Sequence, residues 1–171
     1  MKIIGLALAI VLLFSHLALA EVYLSAEEAT KRLFPNLQEY KVEKRTVDNQ
    51  EFKILIVVGD DKVMGWTVVV SEMGKIKPIT FLVGIDTQGK ILGVYVLEYR
   101  DIFGSEIRRR SFLRQFLDKS VKDSLTVGRD IDAVTGATIS SQAATSAVRK
   151  SIQIIEELQK GDSHAKPMVQ H

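Results

Sequence analysis

The sequence contains no cysteine and only three histidines among its 171 residues. The absence of cysteine excludes disulfides, iron–sulfur clusters, thiolate zinc sites and nucleophilic thiols. His16 lies in the N-terminal apolar stretch, and His164 and His171 lie near the C-terminus. The body of the chain therefore has no histidine for a Ser-His-Asp hydrolase, a haem or a typical zinc site, and we expect neither a metal site nor a catalytic residue.

Excess charge of either sign is also lacking. The formal net charge is +2, which is too small to indicate nucleic-acid binding by bulk electrostatics. Hydrophobic residues make up 46% of the chain and charged residues 26%, as in ordinary globular proteins. A chain of this length can form one domain with a substantial core. We therefore expect a single folded domain without a nucleic-acid partner.

The first twenty residues have the pattern of an export signal. Lys2 precedes the apolar run Ile3–Phe14, and Ala18-Leu19-Ala20 has the small residues of a cleavage site. The same stretch is almost long enough to span a bilayer, so an uncleaved membrane anchor is the alternative. Because Ser15 and His16 interrupt the run, we favour cleavage after Ala20. The prediction is an exported protein, periplasmic or extracellular, with residues 1–20 removed as a signal peptide.

The body begins with a helix and continues as a series of strands. Ser25-Ala26-Glu27-Glu28 is a capping box, and the helix it opens should end near Phe34, before Pro35. Four strands are predicted at residues 52–58, 63–71, 79–85 and 90–99. Short turns separate successive strands, which indicates an antiparallel meander and not βαβ units.

Two further helices are predicted in the second half of the chain. One spans about Ser105 to Asp118, and a long one begins near Ser140 or Ser141 and ends at Lys160, with Gly161 as its C′ residue. The fold class is α+β: a twisted antiparallel meander of about four to six strands, flanked by helices. The predicted domain spans residues 21–161, and residues 162–171 are predicted to be a disordered tail.

The most informative segment is Asp132-Ala133-Val134-Thr135-Gly136-Ala137-Thr138, followed by Ile139-Ser140-Ser141. Gly136 permits a positive φ, and Ala137 adds little bulk before the long helix. Thr138 would then be exposed at the helix N-terminus, where free N–H groups and the helix dipole favour a phosphate. On spacing alone, a plain loop leading into a helix is the better explanation, because small-residue turns of this kind are common.

This segment resembles the flavinylation motif of the FMN-binding domain family, Asp-x-x-Ser/Thr-Gly-Ala-Thr. The resemblance extends to Gly74–Asp86, to Gly89–Val94, to Phe112-Leu113-x-Gln115-Phe116 and to the opening helix from Leu24. It covers most of residues 24–158. The best-known members of the family are subunits of membrane redox complexes, namely the C subunit of the sodium-translocating NADH:quinone reductase and the G subunit of the Rnf complex.

The resemblance implies a flavoprotein electron carrier and not a stand-alone enzyme. Thr138 would carry FMN through a phosphoester, placed there by a separate flavin transferase that uses FAD. The residues of the attachment motif would form the cofactor site; they are Asp132, Thr135, Gly136, Ala137, Thr138, Ser140 and Ser141. The partners implied are that transferase and a redox protein or membrane electron-transfer complex.

The region expected near the flavin ring departs from the family pattern. Many relatives carry Glu-Thr-Pro-Gly-Leu-Gly after the fourth strand, where this chain reads Glu98-Tyr99-Arg100-Asp101-Ile102-Phe103-Gly104. Gly104 keeps the pattern, and Asp101 is an acidic stand-in. Tyr99 and Phe103 are the candidates for stacking on the ring, with core or rim packing as the alternative.

Further interpretations stay open. The domain could bind FMN noncovalently as a sensory or regulatory module, or it could be a flavin-free structural partner of a membrane redox complex. Arg108, Arg109 and Arg110 could dock an acidic redox partner or contact the FMN phosphate, but they are more typical of a solvated helix face. Trp66 could line a flavin pocket or belong to the core.

Overall fold

The structure is a computed structural model that describes residues 21–47 and 49–164. The predicted signal peptide and the last seven residues of the predicted tail lie outside the described residues. A short strand and a helix come first in the chain, and five further strands, a group of short helical turns and a long final helix follow.

An antiparallel sheet of six strands forms the centre of the described chain. The strands are β1 (Glu21–Val22), β2 (Glu39–Val47), β3 (Gln50–Gly59), β4 (Lys62–Met73), β5 (Pro78–Asp86) and β6 (Ile91–Tyr99). Their spatial order is β1-β6-β5-β4-β3-β2, and every neighbouring pair is antiparallel. The predicted α+β fold and its antiparallel meander are therefore confirmed.

The sheet lies between two helices, α1 (Ala26–Leu33) and the final helix, which spans Thr138–His164. On the first face, Ala29 of α1 packs with Leu82 and Leu97. On the opposite face, alternate residues of β5 such as Phe81 belong to the larger core that includes much of the final helix. Because both faces are covered, the central strands are buried on both sides and read as nearly continuous apolar runs.

Helix α1 begins with the predicted capping box. The Ser25 Oγ accepts a hydrogen bond from the Glu28 backbone N–H at 3.1 Å, and the Ser25 N–H donates to Glu28 Oε2 at 3.2 Å. Phe34 is the C-terminal cap, one residue before Pro35. The predicted bounds of this helix are confirmed, because local side-chain chemistry alone determines them.

Strand β2 is missing from the sequence-based prediction. It reads Glu-Tyr-Lys-Val-Glu-Lys-Arg-Thr-Val and has no fully buried residue. It pairs along its whole length with β3. Edge strands often carry charged side chains that discourage pairing with other molecules, so the apolar pattern of a core strand is absent here.

The predicted helix over residues 105–118 is wrong. The segment forms a 3₁₀ turn at Ser105–Arg108, a one-turn helix α2 at Arg110–Leu113 and a second 3₁₀ turn at Arg114–Phe116. Arg109 interrupts it because its backbone is extended, with φ −61° and ψ 134°. The break lets both Ile107 and the Phe112–Phe116 ring pair reach the core.

The final helix, α3, differs from the prediction at both ends. It starts at Thr138, two residues before Ser140, and it continues to His164, so Gly161 does not end it. The apolar stripe of the helix, which includes Ala144 and Val148, packs on the sheet as predicted. Within the described part of the chain, no helix is long and apolar enough to span a membrane.

Candidate functional site

Thr138 is the first residue of α3, and its side chain is exposed. The backbone N–H groups of Thr138, Ile139 and Ser140 have no partner within the helix, as at any helix N-terminus. Ser141 is the first residue to donate back into the turn, to the Ala137 carbonyl at 2.9 Å. The first turn contains no acidic residue. An exposed hydroxyl, free donors and the positive end of the helix dipole therefore coincide.

The turn before Thr138 is held from inside by Ser141. Its Oγ accepts a hydrogen bond from the Val134 N–H at 3.1 Å and donates to the Ala137 carbonyl at 3.0 Å. Ser141 is completely buried, whereas Thr135 and Gly136 are exposed. Gly136 has φ +77°, a left-handed conformation that glycine adopts without steric cost. The Ser141 hydroxyl is thus used in shaping the turn.

Ser140 links the start of α3 to the loop that follows β6. Its Oγ donates to the Phe103 carbonyl at 3.3 Å and lies 3.4 Å from the Tyr99 hydroxyl, which donates to the same carbonyl. Burial raises the pKa of Tyr99, the hydrogen bond with Ser140 lowers it, and the nearby Asp101 carboxylate raises it again, so the pKa lies above the usual range. The structure therefore brings the predicted ring region and the attachment motif together.

Gly104 permits this close approach. Its φ is +79°, and a Cβ at this position would collide with Ser140 Oγ and lie 3.0 Å from Ser140 Cβ and 3.1 Å from Ala137 Cβ. Ala137 is itself buried, with a side chain small enough to fit against the loop. The small residues at 104 and 137 thus let the two segments touch.

Asp101 fastens the same loop to the β4–β5 turn. Its Oδ2 accepts from the Ile76 N–H at 2.8 Å and the Lys77 N–H at 3.4 Å, and its Oδ1 accepts from the Phe103 N–H at 3.2 Å. Burial raises the pKa of Asp101, but these backbone donors together outweigh it and hold the pKa below the usual carboxyl range. The structure gives Asp101 a buried bracing position between two loops.

Exposed apolar side chains surround this bracing carboxylate. Phe103 is 41% exposed and Ile102 is 76% exposed, whereas Tyr99 is only 5% exposed. The Lys75 ammonium lies 4.1 Å from the centre of the Phe103 ring, and Ile76 on the same turn is exposed. Of the two predicted stacking residues, Phe103 has an accessible ring and Tyr99 does not.

Gln115 positions the acidic residue that opens the motif. Its Oε1 accepts from the Asp132 N–H at 2.8 Å, and its Nε2 donates to the Asp132 carbonyl at 3.2 Å. The Asp132 side chain is exposed. Sequence reasoning does not identify Gln115 as a site residue. The only signal for it is its place in the Phe-Leu-x-Gln-Phe resemblance, which does not reveal the contact with Asp132.

Two arginines of the predicted cluster line a groove. Arg108 stacks over the rings of Tyr23 and Tyr99, at 4.5 and 5.8 Å from their centres. Arg108 and Arg110 line a groove whose lining includes no residue of the attachment motif. Trp66 is buried in the core between the sheet and α3. Trp66 is therefore a core residue, and Arg108 and Arg110 belong to the groove.

Comparisons with known proteins agree on one family. The model of the FMN-binding domain matches residues 74–153. The G subunit of an ion-translocating oxidoreductase complex from Methanosarcina acetivorans is 30% identical over 139 residues, which cover 75% of this chain and 74% of that protein.

Two further relatives align over shorter stretches. The G subunit of the Na⁺-translocating ferredoxin:NAD⁺ oxidoreductase complex of Acetobacterium woodii is 30% identical over 118 residues, which are 63% of this chain and 57% of that protein. The G subunit of an ion-translocating oxidoreductase complex from Vibrio parahaemolyticus is 38% identical over 95 residues, 49% of this chain and 44% of that protein. The chain thus spans only about half the length of these two relatives.

Proposed function

The chain belongs to the FMN-binding domain family, and from this premise we propose that it carries FMN covalently on Thr138 and transfers electrons as part of an ion-translocating redox complex. The observation that carries the proposal is the exposed Thr138 hydroxyl on the first residue of α3, beside N–H groups without helical partners. The relatives that are subunits of oxidoreductase complexes support the partner class.

The residues present fit a phosphoester of FMN. Thr138 supplies the hydroxyl, and the helix N-terminus supplies hydrogen-bond donors. The helix dipole stabilises a phosphate at such an exposed site by roughly 0.3–1 kcal/mol. A Cβ at Gly136 would meet no atom within 4 Å, so the approach to the turn is open. Phe103 and Ile102 provide an accessible apolar surface on the loop that touches Ser140.

Attachment would be a phosphoryl transfer from FAD, catalysed by a separate flavin transferase. The Thr138 hydroxyl loses its proton and forms a new O–P bond with the FMN phosphoryl group. The pyrophosphate bond of FAD breaks, and AMP leaves. Asp132, the first residue of the motif, is exposed and is held through its backbone by Gln115, so its side chain is available to the transferase or its metal ion.

Bound FMN supplies the redox chemistry, and the protein's residues hold and expose it. Because Ser140, Ser141 and Gly104 lock the start of α3 to neighbouring loops, the Thr138 hydroxyl has a fixed position on the surface. A covalent tether keeps the cofactor at high effective concentration, which suits a carrier outside the cytoplasm. Export, with cleavage after Ala20, is part of the proposal.

Mass spectrometry of protein co-produced with a flavin transferase and exported tests the attachment. We expect the Thr138 peptide to gain the mass of FMN minus water, and the intact mass to correspond to a chain beginning at Glu21. Thr138→Ala should be folded and colourless, while the matched variant Thr135→Ala, which removes another exposed hydroxyl, should still be modified.

Three outcomes would contradict the covalent proposal. An unmodified Thr138 in yellow wild-type protein, with colour retained in Thr138→Ala, would indicate a noncovalent flavin module. Colourless, unmodified wild-type protein under the same conditions would indicate a flavin-free structural component. Modification of Thr135 in place of Thr138 would move the attachment point to the other hydroxyl of the turn.

A further inference from the structure

The outer edge of β6 is open along its middle. Strand β1 pairs only with Glu98 and Tyr99, and the Tyr23 N–H donates to the Leu97 carbonyl at 2.9 Å. At the other end, Ile91 exchanges backbone hydrogen bonds with residues 118 and 119. Across residues 21–47 and 49–164, nothing pairs with the outward backbone groups of Leu92–Val96. An unpaired strand edge is a template for another extended chain.

A groove of about 610 Å³ follows this open edge. One wall comes from Leu33 at the end of α1, and the other from Leu113 in α2 and Leu117 just after the last helical turn. Leu92 is 36% exposed on the strand itself. Apolar walls on either side of a free strand edge can take alternate side chains of an added strand, as in β-augmentation.

The rim of the groove is strongly basic. Arg32, Arg108, Arg110 and Arg114 line it, and no aspartate or glutamate does. Arg108 donates through Nε to the Ser105 carbonyl at 3.1 Å and stacks on two tyrosines. Among the described residues, Arg32, Arg110 and Arg114 form no ion pair with a carboxylate. Their charges are available for a ligand with several carboxylates.

Residues 1–20 and 165–171 contain lysine and histidine but no aspartate or glutamate, so neither stretch is complementary to the basic groove. An acidic segment of another protein would have the complementary charge. We propose that this groove binds an extended, acidic segment of a partner protein, which adds to β6 as a strand and places its carboxylates against the four arginines. The proposal does not depend on flavin attachment.

Fluorescence anisotropy with the full chain tests this groove. The probe is a short, labelled, end-capped peptide of alternating glutamate and valine. We expect saturable binding that weakens as ionic strength rises, because the arginines are exposed. The double variant Arg110→Gln/Arg114→Gln should bind at least about tenfold more weakly, since two charge-assisted contacts are lost.

Two controls separate strand addition from simple charge attraction. Arg109→Gln removes a neighbouring arginine that does not line the groove, and its affinity should change less than about twofold. The same peptide with N-methylated backbone amides keeps its charge but cannot pair with a strand edge, so it should not bind.

Three results would overturn the proposal. The first is that the N-methylated peptide binds as tightly as the unmethylated one. The second is that Arg109→Gln weakens peptide binding as much as the double variant does. The third is that the glutamate–valine peptide does not bind while phosphatidylglycerol vesicles bind in an arginine-dependent way. The last would assign the basic surface to lipid headgroups. Thr138→Ala protein should bind the peptide as wild type does, so failure of the flavin proposal and failure of this one are distinguishable.

Discussion

Individual residues decide whether the loop after β6 can touch the start of α3. Gly104 and Gly89 have nearly the same left-handed φ, +79° and +78°. Of the two, only Gly104 has close neighbours, because a Cβ there would collide with Ser140 and crowd Ala137, whereas a Cβ on Gly89 would meet nothing within 4 Å. Alanine substitutions at these two glycines therefore distinguish the free-energy cost of a left-handed backbone from the cost of steric crowding.

Gly104→Ala should destabilise the protein more than Gly89→Ala. Both variants incur about 1–2 kcal/mol of left-handed backbone strain. Gly104→Ala adds overpacking of typically about 1–3 kcal/mol. Urea unfolding, followed by far-ultraviolet circular dichroism, measures the difference. Equal destabilisation of the two variants would show that the loop moves away from Ser140 without cost.

Several site residues can be placed from the sequence, and several cannot. The position of Thr138 at a helix N-terminus follows from the small-residue turn and the helical pattern after it. The burial of Ser140 and Ser141 follows from their phase on the apolar face of α3, although the resemblance implies cofactor contacts for both. The bracing position of Asp101 cannot be predicted, because its donors at residues 76 and 77 are brought near only by the β5–β6 pairing.

At the scale of elements, two loops depend on one buried carboxylate. Asp101 accepts backbone hydrogen bonds from the β4–β5 turn and from its own loop, and these hold its pKa below the usual range despite burial. A group with a lowered pKa contributes stability that is fully present above its unfolded-state pKa. That contribution is lost as the pH falls through the folded-state value.

Asp101→Asn should therefore lower stability at neutral pH and reduce its dependence on pH in the acid range. An amide presents a donor where one oxygen now accepts, which leaves buried N–H groups unsatisfied at about 1–3 kcal/mol. Unfolding free energies measured from neutral pH down through the acid range check both effects. If the unfolding free energy of the variant fell with decreasing pH as steeply as that of wild type, Asp101 would not be a source of acid sensitivity.

Elements differ in how far their sequence determines them. The capping box fixes the start of α1, and short polar turns fix the central meander, since both depend on neighbouring residues. Strand β2 has the composition of a solvated segment and forms only because β3 offers a partner. The segment 105–118 has helical spacing, but packing of Ile107 and Phe112 against the core breaks it at Arg109.

In the whole molecule, the two helical layers meet the sheet with different chemistry. In the α3 layer, the buried hydroxyls of Thr145 and Ser151 donate to carbonyls of their own helix. The α1 face instead contains a buried pair that joins helix and sheet, Thr30 and Thr67, with their hydroxyl oxygens 2.8 Å apart. Thr30 donates its proton to the Ala26 carbonyl at 2.7 Å, so Thr67 must be the donor within the pair. The Thr67 hydroxyl therefore depends on Thr30 as its acceptor, whereas the Thr30 hydroxyl donates to Ala26 and does not depend on Thr67 for this bond.

Thr30→Val should cost more stability than Thr67→Val. The first variant leaves the buried Thr67 hydroxyl without an acceptor, at about 1–3 kcal/mol, whereas the second leaves Thr30 still bonded to Ala26. The double variant should recover part of the loss, because no orphan donor remains. A double-mutant cycle in urea measures the coupling. Equal losses in the two single variants would contradict the assigned direction.

The single tryptophan gives the molecule an optical reporter far from the cofactor site. Trp66 is buried within β4, seven residues before Met73 at the end of the strand near the site, or roughly 23 Å along an extended strand. Its emission overlaps the absorption of an oxidised flavin, so attachment at Thr138 would shorten its excited-state lifetime by energy transfer. One native fluorophore would then report cofactor loading in real time, without a label.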